Sequence, residues 1–279
     1  MDKASKAEDA QPKMIGATLF LERQQPIDYA AMAARIGPAI GLNPANLDGQ
    51  GPTSPMVLPV DGDVVFGLPM DFPYPDPLQQ QAQFAFWWPT ALADLSRHTS
   101  HLMIHCSWRS HTRLEAHMRH LILMRELVEQ LPVIGVLWGS SLVQTETFKG
   151  ESASAMRGAI PFSLWVLIQF SMQPNGNILI STIGMRDFGH MEIETESSLT
   201  LDQTFDRVRK FGSYILAKGA VIKDGETFGL TDSERIKVRY TRSFRPDVNT
   251  VYWLELTKQP SIHKPSGFFS KLFGSKTRQ

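Results

Sequence analysis

Residues 163–196 read SLWVLIQFSMQPNGNILISTIGMRDFGHMEIETE. The even positions Leu164, Val166, Ile168, Phe170 and Met172 are all apolar, and the odd ones are mixed. Period-two patterning of this kind predicts a strand with one buried face and one partly covered face. Gln173-Pro174-Asn175-Gly176 then predicts a tight turn, because proline presets φ and Asn-Gly tolerates left-handed backbone. The return strand is expected over 177–183. It runs into Gly184-Met185-Arg186-Asp187-Phe188-Gly189, where two glycines permit a corner that side chains would block. Phe188 is expected to plug the core, with Arg186 and Asp187 facing water or each other. Beyond the corner, His190, Glu192, Glu194 and Glu196 alternate with Met191 and Ile193, which reads as a solvated, acidic edge strand. The hairpin is expected at the buried middle of a mixed sheet.

The rest of the chain supplies elements around this hairpin. Strands are expected at 16–22, 57–60, 64–68, 101–107, 133–138, 235–241 and 250–257. Helices are expected from Pro26 to Gly37-Pro38 or Gly41, at 90–98, at 111–131 and at 201–217. The strand–helix–strand run from His101 to Trp138 implies a parallel crossover. Residues 139–161 hold at most a short helix. The predicted class is α+β: a mixed, largely antiparallel sheet with helices on one face, built from two related lobes, 14–160 and 161–257. A polar lead (1–13) and a basic tail (258–279) flank them.

Composition narrows the function classes. The chain has 279 residues with 28 basic and 28 acidic side chains. Five of the bases follow Glu255, so the remainder carries 23 bases against 28 acids, a net of −5. An acidic body argues against nucleic-acid binding. Cys106 is the only cysteine, which leaves no disulfide and points to a reducing cytoplasm. The N-terminus has no apolar signal segment, and no run is long enough to span a membrane. Neither GxxxxGKS/T, GxGxxG nor GxSxG occurs.

The run from Leu164-Trp165 through Gly184-Met185-Arg186-Asp187-Phe188-Gly189 to Glu192, followed by Tyr214 and Asp224-Gly225-Glu226-Thr227, resembles bacterial proteins of domain-of-unknown-function family 4261. Asp61-Gly62, Pro73, Pro75, Trp88-Pro89, His98, His101 and Trp138-Gly139 resemble its longer members. The resemblance implies a bacterial, soluble α+β protein. It carries no catalytic or ligand residues with it.

Three groups of side chains are candidates for binding. Arg186 and Asp187 sit on the corner, with His190 and Glu192 beyond it; a local ion pair or turn hydrogen bond is the bland alternative. Trp87 and Trp88 end an aromatic, proline-rich segment that is either core or a partner ledge. Six histidines fall between 98 and 120. His98, His101 and His105, with His117 and His120 on the next helix, would make a zinc site if that helix brought three imidazoles together. Scattered structural histidines are the alternative. In the tail, Phe268, Phe269, Leu272 and Phe273 share one side of a short helix and suit a docking motif or weak peripheral membrane contact. The reading favours a non-catalytic cytoplasmic protein-binding module without a cofactor, immunity-like or secretion-associated in role. The alternative is a metal-assisted hydrolase.

Overall fold

A computed structural model describes residues 14–43, 54–85, 87–107, 111–229 and 234–256. The tail positions Phe268, Phe269, Leu272 and Phe273 lie outside them. The described residues form two six-stranded sheets and seven helices, an α+β fold.

The first sheet has the order β2-β3-β4-β1-β5-β6, with β1 (Met14–Leu21), β2 (Met56–Val60), β3 (Asp63–Met70), β4 (Ser100–Ser107), β5 (Val133–Trp138) and β6 (Ser141–Gln144). Every neighbouring pair is antiparallel. Helix α1 (Tyr29–Ile40) follows β1, and α4 (Arg113–Gln130) links β4 to β5. The expected parallel crossover is therefore split: β4 and β5 run the same way, but β1 is inserted between them and pairs with both. Strands β1, β3, β4 and β5 with helices α1 and α4 follow the β-α-β-β-α-β arrangement of the ferredoxin-like kind, with β2 and β6 added at the two edges.

Side chains alternate across this sheet. Leu19 joins the main core with α1 and α4, while Phe20 faces the other way. There it meets Leu78, Trp88, Ala91 and Leu95, from the segment holding α2 (Gln79–Phe84) and α3 (Ala91–Leu95). Helices thus cover both faces of the first sheet, not one.

The second sheet has the order β10-β11-β12-β9-β8-β7. Its strands are β7 (Leu167–Met172), β8 (Ile178–Ile183), β9 (Ile193–Ser197), β10 (Thr227–Gly229), β11 (Arg235–Arg242) and β12 (Thr250–Glu255). Only the β9–β12 pair is parallel. Between the sheets in sequence come α5 (Thr145–Ala155) and α6 (Phe162–Trp165), and α7 (Leu201–Lys218) packs on the second sheet. Helices α4 and α7 both have 18 residues and open with a capping box, Thr112 with Glu115 and Thr200 with Gln203. Each box satisfies two otherwise orphaned amides.

The predicted hairpin forms. Gly176 N donates to Gln173 O at 2.9 Å, Asn175 Oδ1 accepts from Asn177 N, and Gly176 has φ +81°. Two expectations about it change. Residues 162–165 are a helical turn, so the strand begins only at Leu167. Leu164 and Trp165 are still buried, because that turn packs its apolar side chains into the core. Second, β7 is the edge of its sheet, not the middle; Met172 is accordingly 64% exposed.

One core runs through both sheets, from Leu19, Leu121 and Trp138 to Trp165, Phe188 and Phe211. His117 lies inside it, its ring centroid 4.1 Å from Phe188 and 5.6 Å from Trp165.

Candidate functional site

The region around the glycine-bracketed corner is built on β9. Its glutamates are not on a solvated edge. β9 lies between β8 and β12, and Glu192 and Glu194 are 3% and 1% exposed. Strand alternation puts Glu192, Glu194 and Glu196 on one side, and each reaches a different loop.

Glu192 holds the corner. Its carboxylate accepts from the Thr182 hydroxyl at 2.7 Å and from the backbone N–H groups of Gly184, Met185 and Arg186 at 3.0, 3.3 and 3.4 Å. Residues Met185–Phe188 form a 3-10 turn whose leading amides have no partner within the turn. At the other end, Arg113, first residue of α4, donates from Nη1 to the carbonyl of Arg186 at 2.8 Å. An anion at the amide end and a cation at the carbonyl end complement the dipole of the turn. Burial pushes the Glu192 carboxyl up, against the pull of Thr182 and the three amides.

Glu194 holds the β11–β12 loop. It accepts from the Ser243 hydroxyl and from Phe244 N at 3.3 Å, and burial raises its pKa too. Arg245 donates from Nη1 to Thr182 O at 2.9 Å and pairs with Asp247, which ties this loop to the corner. Glu196 accepts from the side chains of Asn175 and Asn177 at 2.9 and 2.8 Å, bracing the hairpin turn. Three alternate carboxylates of one strand thus fasten three loops.

The corner accepts only glycine at its entry. Gly184 has φ +126°, and a Cβ there would lie 2.5 Å from Trp165 O. Gly176 in the hairpin turn has open space around it. Gly184→Ala is expected to cost about 3 kcal/mol, from a forbidden conformation and a backbone overlap together. Gly176→Ala should cost about 1 kcal/mol, from left-handed backbone alone. Urea titrations of the two variants check the difference.

The Arg186 and Asp187 side chains point outward and are exposed, while Phe188 is buried as expected. Beside them the fastened loop presents Phe244, 50% exposed, and Asp247. His190 is half-buried; burial first, and then the nearby Arg113 charge, lower its pKa. Ser243, Phe244 and Asp247 did not stand out in the sequence, since nothing local signals that Glu194 would reach them across 49 residues.

The two tryptophans part company. Trp88 is buried and donates from Nε1 to Asp94 at 2.7 Å. Trp87 is 45% exposed and packs edge-on against Phe205 of α7. Both line an apolar cleft, about 50 Å³, between edge strands β6 and β7.

The histidines do not converge. His101 and His105 face one side of β4 by register, and Cys106 faces the other. Helix α4 lies on the Cys106 side. His120 therefore meets Cys106, Nδ1 to Sγ 2.7 Å, while His117 donates to Arg113 O. His98 accepts from Tyr74 N at 2.8 Å and contacts Leu95 O, and His101 contacts Phe72 O at 2.9 Å. Among the described residues, no three His, Cys, Asp or Glu side chains gather as a metal site would need.

Fold and fastened loops together define an α+β protein that carries a rigid surface platform on its second sheet. Residues 181–254, which hold the whole platform, match the model of a family described as Domain of unknown function (DUF4261). No curated protein and no solved structure matches the chain. Among the described residues no helix is long and apolar enough to cross a membrane.

Proposed function

We propose that the protein is a non-catalytic module that binds another protein through the platform formed by corner 184–189 and loop 243–247. One observation carries this reading: two buried glutamates hold adjacent surface loops in fixed geometry while Arg186, Asp187, Phe244 and Asp247 face outward. Loops fixed before binding lose little entropy on association. Arginine and aromatic side chains are the residues that most often dominate protein interfaces. The mixed charges of the platform suit a protein surface rather than a polyanion.

The one cysteine, Cys106, is buried and forms no disulfide, which supports a reducing, cytoplasmic setting. The family resemblance supports a bacterial source. An acidic body with such a platform fits an immunity-like or secretion-associated role.

The test is capture from the native host with the immobilised protein. A stoichiometric partner is expected. Arg186→Ala should weaken its binding roughly 30-fold, the scale of an interface arginine, with an unchanged melting temperature. Absence of any stoichiometric partner, or full binding by the variant, would overturn the proposal.

A further inference from the structure

The outer face of β2, β3 and β4 is an apolar surface on the first sheet that the described residues leave partly exposed. Register places Val57 opposite Phe66, Phe66 opposite His105, and Leu68 opposite Met103, all on one side. The other side of these strands, with Leu58, Val65 and Ile104, is in the main core. Helices α2 and α3 cover the sheet around Phe20 and Leu137 but leave this end open. Met14, Val57, Phe66, Leu68 and Phe72 are 65, 41, 45, 40 and 46% exposed. At ~200 Å² for a large side chain, they present roughly 450 Å² of apolar surface. That lies within the roughly 300–600 Å² of the largest, often functional, patch on a typical monomer. Half-buried Val64, Met70, Met103 and His105 extend it toward the ~800 Å² per subunit of a stable pair.

Two features select how this face is used. Edge-on strand addition at β2 is obstructed: Pro59 has no N–H to offer, and Leu42 bridges Val60 at the strand's end. Contact must therefore be face to face. Second, none of the outward positions of β2, β3 and β4 carries a carboxylate, amine or guanidinium. Across a two-fold axis each side chain meets the same patch, so a charged face would oppose like charges. A neutral, flat apolar face has no such penalty.

We infer that this face pairs with the same face of a second copy, giving a symmetric dimer. The surface is separate from the platform around Arg186, so the two proposals stand or fall independently. Equilibrium sedimentation tests it. The wild-type chain is expected at twice its 31.3 kDa mass at micromolar concentration. Phe66→Glu places like charges across the axis and should raise the dimer dissociation constant about 100-fold. Leu68→Lys, a second variant of opposite sign, should do the same. Both should keep the wild-type circular dichroism and melting profile, because the positions face outward. Arg186→Ala should leave the dimer intact. A monomeric wild-type chain at high micromolar concentration, or a dimer indifferent to both face variants, would overturn the inference.

Discussion

Glu192→Ala is expected to lower the unfolding free energy by about 5 kcal/mol. The substitution strands three backbone amides and the Thr182 hydroxyl in a site that is 3% exposed. A buried donor left without an acceptor costs about 1–3 kcal/mol, and the cavity left by the side chain adds to this. Glu192→Gln should cost about half as much, because one amide oxygen can still accept from part of the set. Guanidinium titrations of the two variants measure both values. If Glu192→Ala costs less than about 1 kcal/mol, the carboxylate is not what holds the corner.

The second large effect is a loss of stability on mild acidification. His117 and His120 are buried in the joint core, and burial pushes their pKa values down to about 4 and about 3. His117 donates from Nδ1 to Arg113 O, and His120 has no hydrogen-bond partner at Nε2 for a second proton. The unfolded chain binds protons on both from about pH 6.5, whereas the folded chain refuses them. Stability is thus fully present above pH 6.5 and is lost as pH falls toward 3–4. By pH 5 the two together should have removed about 4 kcal/mol. Glu192 and Glu194 act in the opposite sense. Their folded pKa values are raised, so their contribution is fully present below the unfolded value of 4.5 and lost as pH rises through the folded one. Urea titrations at pH 7, 6 and 5 should show the histidine effect prevailing. The dependence should halve in His117→Phe, which keeps a ring against Phe188 and Trp165. An unchanged pH dependence in that variant would show that His117 is not the titrating group.

The sequence speaks clearly where structure is local. Gln173 to Gly176 sets a hairpin turn by its own chemistry, and Thr112 with Glu115 starts a helix by its own hydrogen bonds. The alternation of Met191, Ile193 and the three glutamates also identified a strand with two unlike faces. What alternation does not say is which strand lands next to it. The parallel arrival of β12, some 60 residues later, turns an apparent edge into an interior strand. The glutamates then meet loop amides in place of water. The same holds for the histidines: position parity separates His101 and His105 from Cys106, but only the packing of α4 reveals which face His120 will meet. Residues 163–165 carry a strand-like pattern, yet the core receives Leu164 and Trp165 from a helical turn. Period-two apolar runs likewise do not tell which sheet a strand joins, and two sheets formed where one was expected.

The central claim is that a surface corner is immobilised from beneath by a buried carboxylate. Native-state hydrogen exchange at the amides of Gly184, Met185 and Arg186 tests it most directly. Protection close to that of β8 is expected for all three, although Arg186 is exposed, and its loss in Glu192→Gln. Exchange at the rate of an open loop in the wild-type chain would contradict it.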